Sequence, residues 1–538
     1  MTDSTLHPFR IIVLGGGTAG WMAASLMAKR LTERPVTITV LESPQIGIVG
    51  VAEGSTPQLK GFFDSIGVSE AEWMPRCNAT YKVGIGFRNW SQRPGFEQYF
   101  HPFPHELDER TMPALYFNSV IRRRGADVLG HPDKFFLATL LAQRKLAPLP
   151  AWSFPFRGFY GYHFDAQLIG RFLREHSMAR GVRHIEGTVA SVEQHENGDI
   201  RALRTADDRL IEGDFFVDST GFRSLLLQGA LKVPFRPFSE NLFNDSAVVA
   251  PTPNDADGIP PQTTSTALKC GWAWRIPLTN RVGNGYVYSS RYISRAGAEA
   301  ELRAHLGLPV EGEPLRHLTM KVGRVEQPWA RNCLAVGLSQ GFIEPLEATA
   351  LHLVQETVEG FIQAFEAGRY GDSNRDAFNE SINRRFEGIR DYIVCHYKVN
   401  SRSDTEYWRD CSRLETLSDS LREILKVWYG GQDLVAELKR QNIEKYYAAA
   451  SWHCLLGGYG EYPREDQLIA PSAKAQRYDI GSIEDFLQRC ALNFRGMMRC
   501  WRRLRARCWS SRIERPTQLL ECGLASGAAP KAVLRLRR

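Results

Sequence analysis

The sequence has no uninterrupted apolar run long enough to cross a bilayer. Its most apolar stretch, residues 11–28, is broken by three consecutive glycines, whereas a span needs about 20 apolar residues in a row. The charged, apolar and cleavage-site pattern of a secretory leader is missing from the start of the chain. Ten cysteines lie singly between Cys77 and Cys522, with no C-x-x-C pair among them. That excludes a zinc ribbon or a disulfide framework, and it predicts reduced thiols in a cytoplasmic protein with no metal. No internal repeat or long low-complexity segment is found, so a solenoid is excluded. The excess of positive charge is local. From Arg495 to Arg538 twelve Lys/Arg face only Glu514 and Glu521, so the overall +7 leaves the remaining body at about −3. A basic tail carrying Arg499, Arg502, Arg503, Arg505 and Arg507 could touch an anionic surface, but it lacks interleaved aromatics and reads as a solvated terminus. No nucleic acid and no membrane are expected as partners.

What remains is an ordinary soluble composition, 43% hydrophobic and 24% charged over 538 residues. That length calls for two or three subdomains rather than one small core. The chain is organised around Phe9 to Glu42. An apolar run, Ile11 to Leu14, leads into Gly15-Gly16-Gly17-Thr18-Ala19-Gly20, a helical stretch from Trp21 to Arg30 and a second apolar strand ending in Glu42. Gly15, Gly17 and Gly20 match the dinucleotide fingerprint of tight turn, close pyrophosphate approach and close helix packing. The helix start favours phosphate, and Glu42 stands where a carboxylate takes a ribose hydroxyl. A purely structural βαβ turn is the other reading, and these residues alone do not choose between FAD and NAD.

Further on, Gly47 to Pro57 forms a glycine-punctuated loop before a helix near Gln58 to Ile66. Thr80 to Phe87 alternates with a period of two, placing Tyr81, Val83, Ile85 and Phe87 on one face and Lys82, Gly84 and Gly86 on the other. A lysine beside two glycines has open floor next to it. Residues 95–165 read as irregular chain with short strands, followed by a helix over about 166–180. Phe215 to Phe222 is an apolar strand ending in Asp218-Ser219-Thr220-Gly221, either a second dinucleotide contact or a plain strand exit. Residues 241–330 form a strand-rich insert in which Trp272, Trp274 and Ile276 share a strand face, as sheet core or as the wall of a pocket. The α/β pattern returns near Cys333. Glu344 and Glu347 then fall at the start of a helix that ends at Gly368, where its dipole would stabilise them and its free amides could hold a small anion. Beyond 373 the pattern is mainly helical.

In this order the motifs resemble the flavin-dependent tryptophan halogenase family, over about residues 9–465. The carriers are Gly-Gly-Gly-Thr-Ala-Gly-Trp at 15–21, Gly-Val-Ala-Glu-Gly-Ser-Thr-Pro at 50–57, Tyr-Lys-Val-Gly-Ile at 81–85, Tyr-His-Phe-Asp-Ala at 162–166, Asp-Ser-Thr-Gly-Phe at 218–222, Trp-Ala-Trp-Arg-Ile-Pro at 272–277 and Glu-Pro-Leu-Glu-Ala-Thr at 344–349. The resemblance implies an α/β fold: a Rossmann-like FAD domain of the GR2 flavin monooxygenase type, an inserted β-sheet and a mainly helical C-terminal substrate region. The expected division is 1–240 and 331–372 for FAD, 241–330 for the insert, 373–494 for substrate and 495–538 for the tail.

The same resemblance implies FAD, used as FADH2, with contacts at Gly15, Gly17, Thr18, Ala19, Gly20, Glu42, Ala52, Glu53, Val189, Leu338 and Leu351. It implies a chloride or bromide ion on the amides of Thr349 and Ala350. Hypohalous acid would travel to Lys82, which delivers the halogen to an indole-type ring while Glu347 orients it and takes the ring proton. His101 and Phe103 would hold the ring. Trp272, Trp274, Ile276 and Pro277 would line the passage, and Tyr446, Tyr447 and Trp452 the substrate end. Reduced flavin would come by diffusion from a separate flavin reductase, and the oligomeric state stays open, a homodimer included.

Three departures stand out: Ala348 and Ala350 replace a serine and a glycine of many members, and Gly86 stands where some carry a second lysine. Tyr446-Tyr447 is also followed by Ala448 to His453 rather than by a glutamate and a Phe-Trp pair, which argues for a larger or peptide-borne aromatic over free tryptophan. A flavin-dependent aromatic monooxygenase and a non-catalytic flavin-binding protein are the alternatives.

Overall fold

A computed structural model of the chain describes residues 7–47, 52–502 and 504. A six-stranded sheet forms the base, in the order Trp329–Ala330, Cys333–Ala335, Phe215–Asp218, Phe9–Leu14, Val36–Glu42 and Arg183–Glu186. All neighbours are parallel except the first pair. Val13 stands between Val40 and Val217, so three distant stretches of chain build one buried layer. Parallel strands buried on both faces read as continuous apolar runs, as these do. The helix Thr18–Arg30 is buried through Trp21, Met22, Ala23, Ala24, Leu26 and Met27. It is wedged between the helices Ala166–Met178 and Ala350–Ala367.

A second sheet has seven strands, in the order Arg316–Thr319, Ser246–Thr252, Val282–Tyr288, Gly271–Pro277, Thr263–Leu268, Gly84–Arg88 and Gln98–Pro102. Its last two strands come from the N-terminal part of the chain. A third, three-stranded sheet joins Ala52–Gly54, Gly161–Asp165 and Thr80–Lys82. Helices fill most of the remainder from Arg375 to Ala491. This is the mixed α/β fold expected, with its inserted sheet and helical C-terminal region.

The alternating strand over Thr80 to Phe87 needs correcting. The chain changes sheets at Val83, whose N–H donates to the Pro261 carbonyl and whose own carbonyl accepts from Phe103 N–H. All eight residues are buried, so the period of two did not separate a core face from an open one. Gly84 has no open floor either: a Cβ there would stand 2.3 Å from the His101 carbonyl oxygen. Residues 95–165 also hold more helix than expected, at Met112–Arg123 and Leu137–Gln143. In the first, the buried face includes Asn118, Ser119, Arg122 and Arg123. Buried polar residues hid its apolar period, and Arg123 Nη1 donates to the carbonyls of Trp428 and Gln432.

The first residues of the basic tail are ordered, since Phe494–Gly496 pairs with Leu146–Pro150. Arg503, Arg505 and Arg507 lie outside the described residues, as do Gly50 and Val51. No helix among the described residues is long and apolar enough to cross a membrane. No group of three or more His, Cys, Asp or Glu among them could hold a metal ion.

Candidate active site

The glycine turn sits at the carboxyl ends of the first sheet, where open α/β sheets bind ligands. Gly15 has φ +110, and a Cβ on it would meet the Ser219 carbonyl oxygen at 2.4 Å; one on Gly20 would meet the Gly15 oxygen at 2.0 Å. Gly16, not singled out from the sequence, lies under the Glu42 carboxylate, whose carbon would stand 2.1 Å from a Cβ there and would have to move aside. Gly17 differs, with no atom within 4 Å of such a Cβ. It is the N-cap of the helix Thr18–Arg30 and carries no side-chain cap, so the first-turn amides beside Thr18 and Ala19 face an open cradle. That opening, at a helix N-terminus with an acid nearby, suits the pyrophosphate and ribose of a dinucleotide. Glu42 accepts a hydrogen bond from His184 at 3.1 Å.

The other expected flavin contacts are spread over several elements. Ala52 and Glu53 lie on the strand Ala52–Gly54; burial and then the Asp165 charge push the Glu53 carboxyl up to about 7. Val189 begins the strand Val189–Gln194 and packs in the cluster that contains Leu41. Leu338 occupies the turn Gly337–Ser339, and Leu351 lies buried in the first turn of the helix Ala350–Ala367. Asp218 is a plain strand exit. Its carboxylate accepts from the Thr220 amide and hydroxyl and from the Leu226 and Leu227 amides. Its neighbour Ser219 donates to the Gly15 carbonyl at 2.8 Å and so braces the first turn.

Away from this crevice, Lys82 is fully buried and its Nζ has no hydrogen-bond partner among the described residues. The amine stands 5.1 Å from the centre of the Phe103 ring. Burial pulls its pKa down to about 7, opposed only by the charge of Glu347. The two groups are therefore close enough to interact electrostatically, although 265 positions separate them in the chain.

Glu347 is equally buried but richly held. His101 Nδ1 approaches both carboxylate oxygens, at 3.1 and 3.0 Å, and His396 Nε2 approaches Oε1 at 3.1 Å. Burial alone would push the carboxyl up, but the His101 charge and hydrogen bond, followed by those of His396, hold it at about 2. The expectation that Glu344 and Glu347 open the following helix is corrected. Both precede it, Glu347 within the 3-10 turn Pro345–Glu347, and the helix starts at Ala350 after Ala348 at φ +57 and the N-cap Thr349. Side chains from other elements hold both oxygens of Glu347 and Oε2 of Glu344, while Glu344 Oε1 is buried without a partner among the described residues.

Glu344 forms its own node. Its Oε2 accepts from Asn244 at 2.9 Å, from Trp272 Nε1 at 3.1 Å and from the Tyr397 hydroxyl. Burial raises its pKa. Trp272, Trp274, Ile276 and Pro277 are all buried on the strand Gly271–Pro277, with the two indoles 6.3 Å apart. Trp274 Nε1 has no partner among the described residues, so the carboxylate fixes one indole of the pair only. His396 and Tyr397, consecutive on the helix Arg375–Lys398, thus grip Glu347 and Glu344 in turn.

Tyr447 stacks on Tyr392 with ring centres 3.6 Å apart, and Trp452 meets Tyr392 edge-on at 4.9 Å. Tyr392 lies 6.0 Å from the His101 ring, which connects this aromatic group to Glu347. Tyr446 packs against Gly388 with the Arg385 guanidinium over its ring, and lines a small cavity together with Tyr447 and Trp452. A surface cavity of about 540 Å³ between Arg236, Arg324, Asn379 and Glu387 contains none of these residues. Sequence reasoning missed Glu344 as a node, Asn244, Tyr392 and His396. The four-residue spacing of the last two on one helix was the available signal.

Comparison with known proteins agrees with this geometry. The tryptophan halogenase family model matches residues 10–474. The tryptophan 6-halogenase SttH of Streptomyces toxytricini is 38% identical over 450 residues, 79% of this chain and 84% of that protein. The tryptophan 7-halogenase RebH of Lentzea aerocolonigenes is 34% identical over 84% of this chain and 90% of its own. Among solved structures, MibH, a lanthipeptide tryptophan 5-halogenase, superposes with a TM-score of 0.80 at 26% identity, covering 96% of this chain and 97% of that one. A family match across most of the chain, joined to an open dinucleotide cradle and a buried lysine–glutamate pair, leads to one conclusion: the chain belongs to the flavin-dependent tryptophan halogenases, a family of enzymes.

Proposed function

We propose that the protein is an FADH2-dependent halogenase that places chloride or bromide on an indole-type or other electron-rich aromatic ring. The observation that carries this reading is the Lys82 amine, buried, without an acceptor among the described residues and within the field of Glu347. Gly15, Gly17, Gly20 and Glu42 would hold the dinucleotide, with Ala52, Glu53, Val189, Leu338 and Leu351 around the ring system. Reduced flavin with dioxygen supplies the oxidising equivalent that turns halide into hypohalous acid. Thr349 and Ala350 hold the halide on uncapped amides at the helix start.

Trp272 and Trp274 separate organic substrate from the flavin crevice. Lys82 receives hypohalous acid and presents an electrophilic halogen to the ring; the ring carbon gains halogen and loses a proton, and water is the by-product. His101 and Phe103 position the ring. Glu347, charged at any working pH, steers the halogen species and stabilises the proton as it leaves. The names of the relatives span free tryptophan and a lanthipeptide residue and three ring positions. The missing glutamate and Phe-Trp pair after Tyr447 favour the bulkier class here. A separate flavin reductase would supply FADH2 through transient encounters.

The test is an aromatic panel of indoles, tryptophan and tryptophan-containing peptides incubated with FAD, NADH, a flavin reductase and bromide or chloride, read by mass spectrometry. Halogenated product is expected, and Lys82→Ala should bind FAD normally yet yield none. Hydroxylated product from the wild type, or halogenation by Lys82→Ala with free hypohalite scavenged, would overturn the reading.

A further inference from the structure

The surroundings of Lys82 contain a hydrogen-bond chain whose direction can be deduced atom by atom. Thr80 Oγ1 lies 2.7 Å from the Pro277 carbonyl, which can only accept, so the threonine proton is committed there. The same Oγ1 is 3.1 Å from His163 Nδ1 and must accept from it. Nδ1 therefore carries the ring proton, which leaves a lone pair on Nε2. Thr263 Oγ1, 3.0 Å from that nitrogen, donates to it. The chain is complete in one direction: Thr263 hydroxyl to His163 to Thr80 to the Pro277 carbonyl.

This chain passes beside the amine. A Cβ on Gly54 would stand 3.3 Å from Thr263 Oγ1, 3.4 Å from Lys82 Nζ and 3.5 Å from His163 Cδ2, so the three side chains meet around one missing methyl group. Gly54 pairs with His163 across the small sheet, and Thr263 reaches in from the large one. The titratable and charged groups facing the amine are His163 from the strand Gly161–Asp165 and Glu347 from the turn, with the Phe103 ring beside it. Glu53, next to Gly54 in the chain, is coupled to Asp165 instead. The imidazole lone pair is thus taken by the Thr263 hydroxyl, on a ring near enough to Lys82 to feel its charge.

We propose that Thr263 is a positioning residue for the Lys82 amine: by capping the His163 lone pair it denies the amine an acceptor and keeps it uncharged and free to take halogen. The proposal rests on the reading of Lys82 as the halogen carrier and deepens it. Burial, with the Lys82 charge second, lowers the His163 pKa well below the usual range, which agrees with a ring held neutral. A hydrogen bond to the ammonium form would favour that form and raise the lysine pKa, so removing the cap should have a defined sign.

The experiment is an NMR titration of the flavin-free chain with lysines enriched in carbon-13 at Cε, the Lys82 signal being assigned by its loss in Lys82→Ala. In the wild type the amine should titrate near 7. Thr263→Val frees Nε2 and should raise that titration by at least one pH unit. With the reductase system it should also cut halogenation at pH 7 about fivefold for a shift of one unit, recovering as the pH rises. Thr263→Ser restores the hydroxyl and should behave as the wild type. If the valine chain does not fold, Thr263→Ala asks the same question. An unmoved titration in Thr263→Val, or a shift as large in Thr263→Ser, overturns the proposal. Halogenation by Lys82→Ala would instead overturn the carrier reading and leave the titration result on Thr263 standing.

Discussion

Two buried ionisable groups face each other across the candidate active site under opposite regimes. Lys82 and Glu347 are both almost wholly withdrawn from solvent. The lysine has no hydrogen-bond partner among the described residues, whereas the glutamate has three close approaches from two imidazoles. The amine is accordingly driven toward its neutral form and the carboxyl toward its charged one. Burial penalises both charges alike, so the local supply of partners decides which charge survives. On the proposed reading, a nucleophilic amine beside a permanent carboxylate would deliver the electrophilic halogen, and the asymmetry of partners produces such a pair.

The sharpest way to break the comparison is to replace the amine. In the unfolded chain the lysine titrates near 10.5 and in the fold near 7, so the unfolded state holds the extra proton between these values and stability rises with pH across that window. The amine is most costly to the fold below pH 7. Lys82→Met should therefore abolish halogenation and stabilise the protein. The gain in urea denaturation should be about 2–4 kcal/mol larger at pH 6 than at pH 9.5. Equal gains at both pH values would show that the amine is not starved of partners.

The carboxylate side predicts smaller losses and a loss of stability. Glu347→Gln leaves His101 and His396 facing a neutral amide, and halogenation should fall about 10²-fold. The folded carboxyl sits below its unfolded value of about 4.5, so its contribution to stability is present above that value and fades as pH falls toward 2. The variant should accordingly be less stable than the wild type at pH 7 and closer to it at pH 4. Glu344→Gln strikes the neighbouring node, loosening Trp272 without touching Glu347. A loss of about tenfold is expected, together with more hypohalite reaching an external scavenger per turnover. Equal leakage in both glutamine variants would mean that the two carboxylates act as one unit.

How much of this was legible in the sequence divides along the same line. The cradle could be read because its parts are local: Gly15, Gly17 and Gly20 fall within six residues and carry their own spacing. Lys82 and Glu347 could be named because each sits inside a motif of the family. The partners could not. His396 and Tyr397 read as ordinary residues of a long helix, and only the packing of that helix against the turn brings them to Glu347 and Glu344. Thr263 lies in a plain β-strand, and its role exists only where two sheets meet at Gly54. The strand break at Val83 was hidden for a related reason. A period of two predicts which face is buried, and here both faces are. Gly16 was passed over because its constraint comes from the Glu42 side chain, a contact between strands rather than within the turn.

The smallest effect is expected at the halide. Ala350 opens the helix Ala350–Ala367, and its residue is exposed while the N-cap Thr349 beside it is buried. A methyl group at that place stands next to the amides offered to the anion but not in a sealed pocket, so it can bias size without forbidding either halide. Ala350→Gly removes the methyl and also loosens the first turn, because glycine costs a helix up to about 1 kcal/mol relative to alanine. Removing the methyl widens the site, which favours the larger and less strongly hydrated anion. Bromide use should therefore rise relative to chloride by about twofold to threefold in mixed halide, with the sum of products reduced. The measurement is the ratio of chlorinated to brominated product by mass spectrometry, and an unchanged ratio would place halide selection elsewhere in the turn, with Ala348 at φ +57 as the next position to vary.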